Sequence, residues 1–322
     1  KFLPKHLLEG QEITEDMPYS LAPVGNGPYK FKQWDKGNRF VMEWNEDYWG
    51  KKPCAKTITT LAIPDMQALA AIEGLAYFRQ PAIGPESLWF NLEHPILSDL
   101  RVRQAIAHAI DAEAFTEGVL QGTTTPANTH FTTGSWAHDP NATLPEYDPE
   151  KAKALLAEAG YADGFKIKLT CNQGNFFREH FVEYAQAELA KVGIEVEVQK
   201  AEWGTFIGNV MSGNYEMAFY NEEGGVPDPD VAYEYWTTGG PNNYSHYSNP
   251  EVDDLLKRAR VETDQATRQA LYYEVQAILN RDLPTKPMFW RPNPLVVNAK
   301  FGNVVPSVIH TYGGIHNWCL KK

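Results

Sequence analysis

KIKLTCNQGNFFREHFVEYAQAELAKVGIEVEVQKAEWGTFIGNVMSGNYEMAFYN, residues 166–221, switches its hydrophobic period from two to nearly four and back, twice. Ile167 and Leu169 alternate with Lys166 and Lys168 as in a half-buried strand. Phe181, Ala185, Leu189 and Val192 then recur at helical spacing, and Gly193 ends that helix. Ile194, Val196 and Val198 alternate again, Trp203, Phe206, Ile207 and Val210 form a second helical stripe, and Met217 to Tyr220 reads as a third strand. The pattern predicts a β-α-β-α-β unit whose strands run parallel. Sheets of this kind gather ligand groups at the carboxyl ends of their strands.

The same alternation continues outward. Asp99 is placed to cap a helix whose Val102, Ala105, Ile106, Ala109 and Ile110 share one face. Residues 121–147, QGTTTPANTHFTTGSWAHDPNATLPEY, read as a long surface excursion, after which Asp148-Pro149-Glu150 opens a helix that Gly160 stops. Two more helices follow, from Asn249-Pro250 to about Val261 and from about Ala266 to Arg281. Pro284, Pro287, Pro292 and Pro294 then mark an extended return segment unsuited to helix. Upstream, to about Pro85, the chain is hairpin-rich. In VGNGPYKFKQWDKGNRFVMEWNEDYWG, Val24 to Gly50, Tyr29 and Phe31 and later Phe40, Met42 and Trp44 alternate with polar residues around a turn at Asp35 to Asn38.

The chain has 322 residues, 43% of them hydrophobic and 22% charged, which is enough for two domains or one large one. A net charge of −12, from 41 acidic and 29 basic residues, with no long basic run, opposes nucleic-acid binding. No apolar run approaches the length of a membrane helix, and the first residues, KFLPKHLLEG, lack the apolar core and cleavage site of a signal peptide. Cys54, Cys171 and Cys319 form neither a disulfide framework nor a metal set. They read as small buried thiols, or Cys54 and Cys319 bridge if the chain ends share a lobe in an oxidising compartment. GxSxG, HExxH, GxGxxG and phosphate-loop patterns are absent, and the nine histidines lack metal-ligand spacing, so the reading is a non-enzyme without cofactor.

The Val24–Gly50 hairpin, NLEHPILSDLRVRQAIAHAI at Asn91 to Ile110, and YSNPEVDDLLKRAR at Tyr247 to Arg260 come in a fixed order. Together they resemble the family 5 solute-binding proteins, extracytoplasmic peptide, nickel and oligosaccharide receptors of ABC importers. The resemblance implies an α/β, two-lobe fold of the type II periplasmic-binding-protein kind with hinge strands between the lobes. It divides the chain into a partial first lobe at 1–90, a second α/β lobe at 91–287, and a return to the first lobe at 288–322. Leu88 to Leu92 would cross outward and Met288 to Trp290 would lie near the return crossing. The likeness starts near Pro23, so the N-terminal part of the first lobe has no counterpart, and a glycine-acidic segment expected near Ile72 to Leu75 is also missing. The implied protein is a monomer, periplasmic or membrane-anchored on the outside. It would pass a short peptide, or alternatively an oligosaccharide or another polar small molecule, to importer membrane subunits.

Site candidates follow from the strand ends. Peptide-binding relatives hold the ligand amine with an acidic residue shortly before the Pro227-to-Asp230 run, which points to Glu223, then Glu222. Asp228 and Asp230 read as turn formers that bond nearby amides. Dipeptide-binding relatives carry an arginine in the loop matching TCNQGNFF, Thr170 to Phe177, where this chain offers Asn172, Gln173 and Asn175. Neutral amides suit hydroxyls or peptide groups. Arg178 is close, but its helix pattern points it elsewhere. Among nine tryptophans and sixteen tyrosines, Trp203, Tyr220, Trp236, Tyr244 and Trp290 flank strand ends or hinges and are the stacking candidates, although Trp203 reads equally as core. A carbohydrate-active hydrolase is the rival class, but the adjacent Glu222 and Glu223 cannot readily flank one bond.

Overall fold

The computed structural model describes residues 4–12, 14, 17–36, 38–61, 69, 72–80, 84–221, 228–291, 293–305 and 314–321. In chain order its strands are β1 (Tyr29–Asp35), β2 (Arg39–Trp44), β3 (Thr57–Leu61), β4 (Leu75–Gln80), β5 (Glu86–Phe90), β6 (Thr125–Pro126), β7 (Phe165–Asn172), β8 (Ile194–Ala201), β9 (Met217–Asn221), β10 (Thr285–Trp290), β11 (Asn293–Asn298), β12 (Phe301–Gly302) and β13 (Cys319–Leu320). The chain forms two units, residues 1–80 with 294–322, and residues 81–293.

In the first unit β1, β2 and β3 make an antiparallel sheet in that order. The turn closes through Asn38 N–H to Asp35 O at 2.9 Å. Tyr29 faces Trp44 and Phe31 faces Met42, as alternation requires, but the register shifts between Phe31 and Gln33. Past that bulge Val41, which falls outside the expected apolar set, is buried, and Trp34 is exposed. β4 pairs with β11, and β12 with β13. Cys54 and Cys319 are joined in a disulfide across 265 residues of sequence, with Cα atoms 5.1 Å apart.

The second unit is built on a six-stranded sheet, order β6-β10-β5-β9-β7-β8. β7 runs parallel to both β8 and β9, so residues 166–221 form the expected parallel unit, with helices at Phe176–Ala190 and Trp203–Met211. Gly164 and Gly193 both adopt positive φ where β7 and β8 begin, and a Cβ on Gly164 would sit 1.9 Å from Gly193 O. Only glycine allows that approach. β5 splits its side chains between two cores. Leu88 and Phe90 join Phe219, Leu169 and Phe181 beneath the helices at Leu100–Ala109 and Phe176–Ala190. Trp89 turns to the opposite face, with Ala218, Phe206, Leu256 and Tyr272 from the helices at Trp203–Met211, Pro250–Val261 and Gln265–Asp282.

The compact units divide at 80/81 and 293/294, where the resemblance implies 90/91 and 287/288; β5 and β10, which the resemblance puts near the crossings, are antiparallel neighbours inside this sheet, buried on both faces. Pro287 is accommodated in β10 by a register shift between Pro287 and Phe289. The 121–147 segment is not a solvated excursion. β6 pairs with β10, and Ala127, Thr129, His130, Phe131 and Ala137 are buried. Gln276 donates to Ala137 O at 2.8 Å, and Asn280 to Asn128 O and Thr143 O at 2.9 and 3.0 Å. The helix thus supplies partners that an irregular buried backbone cannot give itself.

His130 is buried, its ring edge-on to Trp236 at 5.0 Å and its Nε2 3.0 Å from Thr285 Oγ1. Burial pushes its pKa down to about 3, below the ordinary 6.5. The unfolded chain therefore takes up a proton that the folded chain refuses, so this stabilisation is complete above pH 6.5 and declines as pH falls toward 3. Lowering pH from about 6.5 to 5 should cost about 2 kcal/mol through this group, at ~1.4 kcal/mol per pH unit. Urea melts across that window should show the slope in the wild type and a clearly smaller one in His130→Gln; equal slopes would refute the assignment.

Candidate functional site

The carboxyl ends of β7 and β9 and the start of β5 meet at one edge of the six-stranded sheet, where Glu86 is in register with Asn221 on one side and Phe289 on the other. Asn172 closes β7, and the loop after it turns through Gly174, at φ +80°, into the helix at Phe176–Ala190. Asn175 caps that helix by accepting Arg178 N–H at 3.3 Å. One turn in, the Arg178 side chain runs back under the sheet edge.

Arg178 is the centre of the cluster. Its Nε donates to Glu86 Oε2 at 2.8 Å and its Nη2 to Glu86 Oε1 at 3.3 Å, a bidentate pair with side chains 4% and 1% exposed. Nη1 donates to Asn172 Oδ1 at 2.8 Å and Nη2 to Asn221 Oδ1 at 2.6 Å. The guanidinium lies 5.0 Å over the ring of Tyr220. A buried charge pair of this kind is tolerated only when its remaining donors and acceptors are satisfied, and the two asparagines supply that. Arg291, just past β10, places Nη1 3.3 Å from Glu86 Oε1. Neither Glu86 nor Arg291 stands out in the sequence, and the helix pattern that points Arg178 elsewhere is misleading, since its side chain sits at this edge. The available signal was a lone carboxylate at the head of the apolar run ESLWF, which must find a cation when buried.

The edge also carries aromatic surface. Trp203, at the first position of its helix, is 41% exposed and packs against Phe206 and Tyr220, both at 6.1 Å. It is therefore neither a core residue nor a free flag. Trp290 ends β10 at the same edge, buried and paired through its backbone with Thr125. Asn172, Asn175, Trp203, Tyr220 and Trp290 are thus brought to one region. Trp236 and Tyr244 are not. Trp236 is 2% exposed and stacks on Trp89 at 5.9 Å, while Tyr244 leans on the same indole at 5.9 Å with its hydroxyl on Asn242. Both belong to the core around Trp89, whose Nε1 donates to Tyr220 O at 3.0 Å. Glu222 and Glu223 lie outside the described residues.

Other charged groups nearby are committed. Asp228 accepts from Arg268 at 2.8 Å and from Asp230 N–H at 2.9 Å. Burial works to raise its pKa, but the Arg268 hydrogen bond and charge and the amide hold it below the usual carboxylate value. Asp230 pairs with Arg260 at 3.0 Å. Cys171 is a buried thiol pushed up to about 11 by desolvation, which makes it a poor nucleophile. A cleft of about 590 Å³ elsewhere in the unit is lined by His108, Asn280 and Arg281, among others. These too are engaged: His108 Nδ1 with Glu146 O at 2.6 Å, Asn280 with the 121–147 segment, and Arg281 with Asp282 at 2.8 Å. Among the described residues, no group of three or more His, Cys, Asp or Glu side chains could hold a metal, and no helix is long and apolar enough to cross a membrane.

Comparison with known proteins identifies the scaffold. The chain is 28% identical to the oligopeptide-binding protein AppA of Bacillus subtilis, covering 99% of this chain and 67% of that protein. It is 27% identical to the dipeptide-binding protein of Escherichia coli, over 82% of this chain and 55% of that one. The solved structure of Bacillus subtilis AppA with a nonapeptide superposes with a TM-score of 0.86 at 26% identity, over 99% of this chain and 72% of the other. The periplasmic binding protein DppA from Helicobacter pylori with the peptide STSA gives 0.82 at 26%, over 93% and 64%. The fold is that of the two-lobe, type II periplasmic binding proteins. The chain spans 55% to 67% of the length of these curated relatives. The family description "Bacterial extracellular solute-binding proteins, family 5 Middle" matches residues 3–74 and 64–244, reaching ahead of Pro23 and breaking into two overlapping segments beside Ile72 to Leu75. On that match, across most of its length, the chain belongs to the family 5 bacterial extracellular solute-binding proteins.

Proposed function

We propose that the protein captures a short peptide outside the cytoplasm and delivers it to an ABC importer by hinge closure, acting by binding and not by catalysis. The observation that carries this reading is the composition of the strand-end edge: amide side chains of Asn172 and Asn221 beside the half-exposed indole of Trp203 and a guanidinium on Arg291. Amides and an indole match peptide groups and apolar side chains without fixing a sequence. The similarity to proteins named for dipeptide and oligopeptide binding supports the same class. Glu223, with Glu222 next, is assigned to the ligand amine from its order ahead of the Pro227-to-Asp230 run. The protein works as a monomer, and ligand binding both lobes favours the closed state by its differential affinity.

An oligosaccharide is the second reading, favoured by the cation-free amide loop at 172–175 and the exposed face of Trp203. Calorimetry with a tripeptide and a trisaccharide separates the two, and release of free sugar on incubation would instead mark a hydrolase. Under either binding reading Trp203→Ala should weaken the ligand by about tenfold, roughly 1.4 kcal/mol. Its urea midpoint should stay near wild type because the indole is 41% exposed. Normal affinity together with a loss of several kcal/mol in stability would remove Trp203 from the site.

A further inference from the structure

Among the described residues the strand-end cluster holds two guanidinium groups and one buried carboxylate. Arg178 already neutralises Glu86 through both oxygens and spends its other donors on Asn172 and Asn221. Arg291 differs. Its side chain is 35% exposed, its contact with Glu86 is a single 3.3 Å approach, and its guanidinium lies 5.6 Å over Phe177. Among the described residues its other N–H groups have no partner, and its charge is the surplus one. A half-exposed guanidinium fixed on one side by a carboxylate and over an aromatic ring is preorganised to accept an anion bidentately from solvent. Glu179, two residues after Phe177 in the helix, is engaged elsewhere: it accepts Gly174 N–H at 2.6 Å and pairs with Lys200 at 3.7 Å. The 172–175 loop offers no cation.

We infer that Arg291 is the anion-holding, specificity-determining residue of this edge, receiving a carboxylate of the bound peptide from the end of β10. The assignment rests on the peptide reading above for its natural ligand, but not for its chemistry. The carboxylate can belong to the peptide terminus or to an acidic side chain.

N-acetyl-alanine and N-acetyl-alaninamide, titrated by calorimetry and by the ¹⁵N shift of Arg291 Nε, test the chemistry directly. The wild type should prefer the acid by about tenfold or more, the size of one charge-assisted pair. Arg291→Gln should abolish the preference and Arg291→Lys should retain part of it. Trialanine, its C-terminal amide and the amide of Ala-Glu-Ala then separate the sources: the first alone binding well marks the terminus, recovery by the last marks a side chain. A wild type without preference, or a preference surviving in Arg291→Gln, overturns the inference. If the acid probe binds through Arg291 and no peptide binds, the peptide reading fails and the assignment of Arg291 stands. Should Arg291→Gln melt early, Arg291→Lys and the Nε shift in the wild type decide.

Discussion

Glu86→Ala is expected to cost about 3–5 kcal/mol, the range for stripping one partner from a buried ion pair. The substitution would leave the guanidinium of Arg178, 4% exposed, without its carboxylate, and Arg291 beside it. Arg178→Met should cost less, because Glu86 keeps Arg291 as a partner at 3.3 Å. The double variant Glu86→Leu with Arg178→Met should recover much of the loss, since a buried pair replaced as a whole by apolar side chains is near neutral. Urea unfolding of the three variants, read at constant slope, checks the order. A Glu86→Ala cost under about 1 kcal/mol would mean that the charges are solvated and the edge is wetter than its burial indicates.

Loss of the Cys54–Cys319 bridge should destabilise the first unit by about 4 kcal/mol, from the loop-closure cost it removes in the unfolded chain. The bridge spans 265 residues. Taken as an open loop, that length would imply between 5 and 6 kcal/mol by roughly the same relation. The smaller figure applies because Glu86 faces Phe289 in the β5–β10 ladder, so a folded second unit already holds its two exits together. Only about 60 residues then lie in the effective loop. The variant Cys54→Ala with Cys319→Ala, compared with wild type in separate melts of the two units, tests both numbers. A loss confined to the first unit is expected; equal losses in both units would show that they unfold as one.

The parallel core was legible because its strands and helices each bury one face or stripe, and period reports that directly: Ile167, Leu169, Phe181 and Leu189 are all buried as their spacing predicts. The same reading put Asn172, Asn175, Trp203 and Tyr220 at one edge, since in such a unit strand ends follow from strand order. Depth was not legible. Trp236 and Trp203 look alike as aromatics beside loops, yet one is 2% and the other 41% exposed, because Trp89 arrives from far upstream to cover only the first. Glu86 and Arg178 lie 92 residues apart, and no local pattern pairs them. The β1 bulge between Phe31 and Gln33 likewise depends on hydrogen-bond register, which hydrophobic alternation assumes and cannot reveal.

The amides that Gln276 and Asn280 extend to the 121–147 segment tie the fate of a loop to that of a helix. A segment with one two-residue strand would ordinarily open on its own and exchange its amide hydrogens within seconds. Here opening strands Thr129 and His130 away from Gln276 and Thr285, so amide exchange in the segment is expected to be slower than in a free loop. What looks like a connection is packed and hydrogen-bonded against the helical layer, and a protease should cut it more slowly than a free loop.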